Sequence, residues 1–545
     1  MRAALAVVLG TGLAAASGAA TAAVSLVSTA PINTLQPTYA SWNIDPSCNR
    51  GFHQTAFNNS NLVAGAAALH PSLLRFGGSG ADALVYSLTP GAPECSAIDP
   101  AVCQKSPDYT TPGCLNASQW ESLHALASRS NSGFIFGVSL DLPAACAAGG
   151  ASYVWSSANV ERLLAYLSAH NQTLFGMELG NEPNNNGKGT ACNLAPSSQA
   201  AAFAALARLV APLGTKLIGP DTGYLYPQTW LEAFLPLLPP AVALHAVTHH
   251  VYNGASRADF NSPRQLDSPL PEIKWYTDTA RRLAPGAQVW AGEDGPIGGG
   301  NDGTCGEASV CGTYASSLWY ADDMALRASH GFTQVRTKPH PQQATPAFSH
   351  LPPRSPAPPP PPSLCRPQYQ RQDLFGGAYG LLRSESGVMA LGLEEPLRIN
   401  PDFWVNFLWK RCLGSHVLNA TSSSDMVRAY AFGGAPASPF AAPACATSVQ
   451  LLLINLSNAT STAVALPLVS ALPGYAAYAL APAGGDPFAS LASLNGSPLP
   501  GAIDAAAVDP ASFLQGIVQA PLRGAVAGGL TLTPLSVTFL CYTSH

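Results

Sequence analysis

Charge is what this chain lacks. Only 10% of its 545 residues are Asp, Glu, Lys or Arg, the formal net charge is -5, and no run of clustered Lys or Arg occurs. This argues against a broad basic surface, and so against nucleic acid or a highly sulfated polymer as partner. Disorder driven by charge is excluded as well, because 47% of the residues are hydrophobic and can bury at least one large core. Zinc-ligand spacing is missing too. His249 and His250 are adjacent strand residues whose side chains diverge, and no third ligand follows at a suitable interval. No metal and no cofactor is expected. Across residues 336–367 apolar periodicity itself is absent. That stretch holds a proline tract, 358–362, which can form neither strand nor helix because proline lacks the donor and fixes φ. It reads as disordered, either an exposed insertion or a translated intron.

What is present begins with a leader. Met1-Arg2, an apolar stretch over 3–13 and the small-residue pattern Ala20-Thr21-Ala22 predict a secretory signal over residues 1–23, with a membrane anchor as the alternative. No transmembrane segment is expected after cleavage. The expected location is extracellular, in the cell wall, or in a lysosome- or vacuole-like compartment. There the twelve cysteines can pair, in a connectivity the sequence does not give. Seven sequons, at Asn58, Asn116, Asn171, Asn419, Asn455, Asn458 and Asn495, are expected to carry glycans.

Residues 24–414 alternate short apolar runs, among them 73–76, 133–138, 215–220, 242–247 and 288–290, with amphipathic stretches such as 158–170 and 199–210. Repeated strand and helix units imply a parallel sheet, and at this length a (β/α)8 TIM barrel of the α/β class leads. Over 415–545 the texture changes to strand-like runs at 427–432, 448–454, 476–480 and 535–540, separated by Gly, Pro, Ser and Asn. That predicts a C-terminal all-β sandwich domain.

Two segments carry the chemistry. Glu178-Leu179-Gly180-Asn181-Glu182-Pro183 and Trp290-Ala291-Gly292-Glu293-Asp294 each put a glutamate just after a short apolar run, where a barrel strand ends. Glycosidic bond cleavage needs two carboxyl groups facing one site, one holding a proton and one charged. The competing reading is two solvated loop carboxylates that never meet.

Five motifs in order resemble the heparanase-like β-glucuronidases, the group of animal heparanase, its plant relatives and plant flavonoid glucuronidases. They are Leu74-Arg75-Phe76-Gly77-Gly78; Glu178 to Pro183; His249-His250-Val251-Tyr252-Asn253; Trp290 to Glu293 with Gly298-Gly299-Gly300; and Arg371-Gln372 with the run Phe375-Gly376-Gly377-Ala378-Tyr379-Gly380-Leu381. The resemblance implies a retaining glycoside hydrolase with Glu182 as general acid/base and Glu293 as nucleophile, their carboxyl groups roughly 5 to 5.5 Å apart. An anionic neighbour and partial burial should raise the acid's pKa.

The same resemblance implies that Asn181 bonds the sugar 2-hydroxyl, that Gly299, Gly300 and Tyr379 surround a uronate carboxylate, and that Cys445 pairs with Cys541. Backbone N–H groups of a glycine turn form such an anion nest without a cation. Asp45 is expected on sugar hydroxyls. His250 and Tyr252 alternate on one strand, share a face and orient Glu293, while His249 points into the core. The loop from Glu293 to Gly298 departs from the family pattern: it is shortened and carries Pro296 and Ile297 where relatives have small residues and an aromatic. The expected partner is a carbohydrate, a glucuronide-containing glycan or a small glucuronide. An endo-acting heparanase-type enzyme and a catalytically silent carbohydrate-binding homologue are the alternatives.

Overall fold

Alternate residues of a strand take opposite faces, and Leu73–Phe76 shows how this chain uses the rule. Leu73 enters a small apolar layer with Ile135, Ile218, Ala246 and Trp290. Leu74 and Phe76 join the larger core beneath the surrounding helices. Strands covered on both faces read as nearly continuous apolar runs, as parallel strands do. Eight of them close into a parallel barrel: Ala40–Ile44, Leu73–Phe76, Gly133–Val138, Gly176–Leu179, Lys216–Ile218, Ala246–Val251, Gln288–Asp294 and Gln368–Arg371. They are called here the first to the eighth barrel strand.

The computed structural model describes residues 22–46, 52–88, 113–149, 152–184, 193–223, 226–254, 256–297, 305–330, 368–371, 373–376, 378–384, 391–446, 449–469, 472–504, 516–517 and 521–544. Gly299, Gly300 and the proline-rich 336–367 lie outside the described residues.

The helices follow from local signals. Ala117–Arg129 starts at a capping box in which Asn116 and Gln119 satisfy each other's backbone N–H, and it buries Trp120, Leu123, Leu126 and Ala127 on one stripe. Helix Tyr314–His330 is different, being buried from Tyr314 to Ala328. It lies between barrel and strand domain: Arg327 faces Asp294 of the seventh barrel strand at 3.6 Å, while Asp322 accepts from Arg428 and Tyr430 of the strand domain at 2.9 and 2.7 Å.

Among the described residues, ten C-terminal strands and one from the N-terminus form a sheet of eleven. Val449–Asn455 is buried at every position: Leu451 and Leu453 face the domain's own core, Leu452 and Ile454 the core shared with the barrel. The strand Gly414–Ser422 begins at a glycine where a Cβ would stand 2.2 Å from the Gly433 carbonyl oxygen, so only glycine permits this crossing.

The N-terminal boundary needs correction. Ala22 and Ala23, expected in the signal, and 24–34, expected in the barrel, form one strand of the sandwich domain. Ala22–Thr34 runs antiparallel to Gly414–Ser422, and its first two residues lie parallel to Val464 and Ala465. The cause is alternation: Ala22, Val24 and Leu26 turn into the domain core. The barrel begins only at Ala40.

The Cys445–Cys541 disulfide is formed, with a Cα–Cα distance of 5.0 Å, and ties a short turn to the final strand Val537–Thr543. Cys305 pairs with Cys311, and Cys412 is a buried free thiol. Four sequon asparagines, Asn58, Asn116, Asn171 and Asn458, are exposed; Asn419 and Asn495 are half-buried. Asn455 is a second correction. It is buried, and its Nδ2 donates to the carbonyls of Thr460, Leu532 and Thr533, so no glycan can be attached in the folded state. Among the described residues no helix is long and apolar enough to cross a membrane.

Candidate active site

Above the apolar layer the barrel interior turns polar. Arg75, two residues beyond Leu73, is 1% exposed and fans out to four partners. Its Nε donates to Glu178 at 2.5 Å, Nη1 to Glu293 at 2.9 Å, and Nη2 to Asn181 at 3.2 Å and to Asp221. A buried guanidinium is tolerable because its fork of donors is filled by anions.

Glu182 lies just past the fourth barrel strand. Gly180, with φ 78, and Glu182, with φ 47, make the turn in left-handed backbone. A Cβ at Gly180 would meet Leu140 at 2.2 Å. Two bonds fix the turn: Asp82 accepts from the Asn181 N–H at 3.1 and 3.0 Å, and the Glu182 N–H donates to the Asp221 carbonyl at 2.8 Å.

Glu293 sits on the seventh strand, where the register slips between Ala291 and Glu293 so that Glu293 pairs with His250. Such a bulge re-aims a side chain, and glycine at 292 suits it. Glu293 Oε1 takes the Arg75 bond, and Oε2 accepts from the Tyr252 hydroxyl at 2.6 Å. One oxygen of Glu182, one of Glu293 and one nitrogen of His250 lie within 4.8 Å of one another. The two glutamates therefore meet at the C-terminal mouth of the barrel, where the loops after parallel strands build sites.

His250 does more than face Glu293. Its Nδ1 is 2.8 Å from Glu182 and 3.4 Å from Glu293, and its Nε2 is 2.9 Å from Asp221, an ion-pair distance angled away from a straight hydrogen bond. Burial opposes a charge on this ring, but Asp221 and Glu293 outweigh it and bring the imidazole up to about 10. Asp221 is likewise pushed up by burial, yet Arg75 and His250 hold it below the usual carboxylate range. Glu178 goes the other way: burial, then the Asp221 charge, raise it against the pull of Arg75. The asymmetry has a geometric cause: Asp221 has both Arg75 and His250 at ion-pair distance, whereas Glu178 pairs with Arg75 and feels His250 only as its weakest influence. Glu178 Oε1 has no hydrogen-bond partner.

The other expected residues fall around this centre. Asn181 is buried, its amide engaged with Arg75 and Ser79. Asp45 is half-buried after the first strand, filling the space a side chain at Gly78 would need. Tyr379 is buried close enough to Tyr252 to help raise its hydroxyl pKa, after burial and Glu293. Behind Tyr379, Arg371 bonds its carbonyl at 2.9 Å and Asp402 at 2.8 Å. His249 points away as expected, stacking on Tyr276 at 3.7 Å and facing Glu272 at 3.4 Å. The ligand atoms of Glu182, His250 and Glu293 are spaced for a divalent cation, but His250 already directs both nitrogens at carboxylates. That arrangement suits proton chemistry.

Three residues of the centre escaped the motif reading. Arg75 and Glu178 lay inside quoted motifs without a role, and Asp221 lay just past the fifth strand. For Arg75 and Glu178 the available signal was a charged residue within an otherwise apolar strand, which is almost never buried unless paired.

A family model described as "Glycosyl hydrolase family 79, N-terminal domain" matches residues 39–325. The chain belongs to glycosyl hydrolase family 79. It is a glycoside hydrolase. Over 480 residues it is 27% identical to heparanase of Gallus gallus, covering 79% of this chain and 80% of that protein. It is 23% identical over 421 residues to the baicalin-β-D-glucuronidase of Scutellaria baicalensis, covering 71% and 68% respectively. A 4-O-α-L-rhamnosyl-β-D-glucuronidase from Fusarium oxysporum superposes with a TM-score of 0.58 over 95% of this chain and 99% of that one, at 14% identity. That likeness is one of fold.

Proposed function

We propose that this family 79 enzyme is a retaining β-glucuronidase acting by double displacement, with Glu293 as nucleophile and Glu182 as general acid/base. One observation carries the reading: the two carboxyl groups approach within 4.8 Å, oxygen to oxygen, from the fourth and seventh strands. Retention calls for roughly 5–5.5 Å, whereas an inverting pair stands about 6.5–9.5 Å apart to admit a water.

In the first step Glu182 protonates the leaving oxygen while Glu293 attacks the anomeric carbon. Arg75 and Tyr252, one on each Glu293 oxygen, keep that carboxylate aimed. In the second step Glu182 takes a proton from water, whose oxygen displaces Glu293 from the sugar. The Asn181 amide, anchored by Arg75, offers a bond to the 2-hydroxyl that tightens as oxocarbenium character grows.

Glucuronide as substrate is supported by the names of the relatives and by Tyr379 beside Tyr252; the shortage of clustered Lys and Arg favours small glucuronides or glycan ends over sulfated chains. The leader and the disulfides support action outside the cytosol. The test is hydrolysis of a chromogenic β-glucuronide and the matching glucoside, with the released sugar's anomer followed by NMR. Expected are glucuronide turnover, the β-anomer first, and a roughly 10²–10⁴-fold loss in Glu182→Ala. Turnover of the glucoside alone overturns the substrate, and the α-anomer first overturns the mechanism.

A further inference from the structure

Asp221 enters no step of the reaction, yet the groups that do are tied to it. It follows Gly219-Pro220 at the mouth of the fifth strand with φ 60, a left-handed conformation that costs a non-glycine residue and persists only where its surroundings impose it. Those surroundings are evident. The Asp221 N–H donates to Thr248 Oγ1 at 2.9 Å, and its carbonyl accepts from Glu182. Its carboxylate takes Arg75 on one oxygen and faces His250 on the other. A Cβ at Gly292 would stand 2.6 Å from Oδ1, so the nucleophile's strand leaves room for this carboxylate and no more.

We propose that Asp221 is a positioning residue for glycoside cleavage: its carboxylate keeps His250 as the imidazolium spanning Glu182 and Glu293, and its backbone seats the acid/base. The proposal rests on the roles given to the two glutamates above. A neutral imidazole has one N–H and could serve either Asp221 or the catalytic pair, whereas an imidazolium donates from both nitrogens. The charged and titratable groups around the ring are Asp221 behind it, Glu182 and Glu293 before it, Glu178 and Arg75 beneath, and His249, its pKa lowered by burial, beside it on the same strand.

This arrangement fits the way charge moves during the reaction. In the free enzyme Glu293 is the anion and Glu182 holds the proton. In the covalent intermediate Glu293 is a neutral ester and Glu182 the anion. His250 Nδ1, 2.8 Å from Glu182 and 3.4 Å from Glu293, faces both carboxylates, so its charge is near the anion at either stage. No proton leaves the ring, and the sum of charges in the cluster is the same at each stage.

Asp221→Asn keeps the shape and the backbone bonds but removes the charge. Expected is a roughly 10²-fold fall in kcat with KM within about threefold, the signature of lost preorganisation at the reacting atoms. Expected too is a change in the ¹⁵N signals of His250, assigned by comparison with His250→Gln: doubly protonated at neutral pH in the native protein, titrating near the ordinary histidine range in the variant. Native kcat in Asp221→Asn, or a ring that stays doubly protonated in it through about pH 8, overturns the proposal. If the variant does not fold, the native protein decides alone, because a neutral His250 at pH 7 also overturns it. The NMR signal does not depend on turnover, so a failure of the glutamate roles, seen as full activity in Glu293→Ala, is distinguished from a failure of this inference.

Discussion

Arg75 in the barrel and Leu453 in the strand domain occupy similar places: mid-strand, inward-facing and at most 1% exposed. Their surroundings are opposite. Leu453 packs among Val427, Leu451, Val464 and Leu540, while Arg75 bonds Glu178, Asp221, Glu293 and Asn181. Apolar burial stabilises by roughly 25 cal/mol per Å², whereas buried ion pairs often fail to recover their desolvation cost. The strand domain and lower barrel thus supply stability, and the barrel mouth spends it on preorganised charge.

The largest break in that comparison should come from Leu453→Ala. It should lower stability by about 2–5 kcal/mol, read by denaturant unfolding, while leaving kcat at 25 °C unchanged. A fall in kcat matching the loss of stability would show that the two regions are not separable. Next comes the double change Cys445→Ala with Cys541→Ala, which opens a 96-residue loop. About 2–4 kcal/mol should be lost, again without effect on KM.

Gly292→Ala tests the charged side. Its new methyl would displace Asp221, and a roughly 10²-fold loss of kcat is expected from misplacement alone, with little change in melting temperature. An enzyme of native activity would mean that the bulge tolerates a side chain.

The smallest effect is one of pH. Burial, then Asp221, raise Glu178 from 4.5 to about 7. The folded state therefore keeps a proton that the unfolded chain releases, so this group's contribution to stability falls as pH climbs from about 4.5 to about 7. Glu178→Gln keeps the bond to Arg75 and should flatten that slope. Unfolding curves at several pH values that retain it would put the proton elsewhere.

Much of this was legible in the sequence because it depends on local pattern. The apolar runs at 73–76 and 133–138 became strands with those bounds, and the run at 288–290 became the strand that carries Glu293. The motif glutamates came together because one lies at the end of a strand and the other just past a strand of the same barrel. What the pattern could not carry was non-local. Ala22, Val24 and Leu26 alternate as a strand should, but the small residues before them match a cleavage site, and only the distant partners Ser422 and Val464 decide where they go. A sequon is likewise blind to depth, so Asn455 and Asn458 read alike although one is sealed behind three carbonyls. Asp221 was missed because its partners, Arg75 and His250, come from other strands.

The pairing of Ala22 with Val464 also sets a schedule for biosynthesis. At ribosomal speeds of about 5–20 residues per second, the first strand waits roughly 20–90 s for the neighbour that completes its hydrogen bonds. Through that interval a nascent chain displays an unmatched, partly apolar edge, the kind of surface that chaperones shield. Residues 22–34 are therefore a place where folding inside the cell, unlike refolding from denaturant, is open to delay.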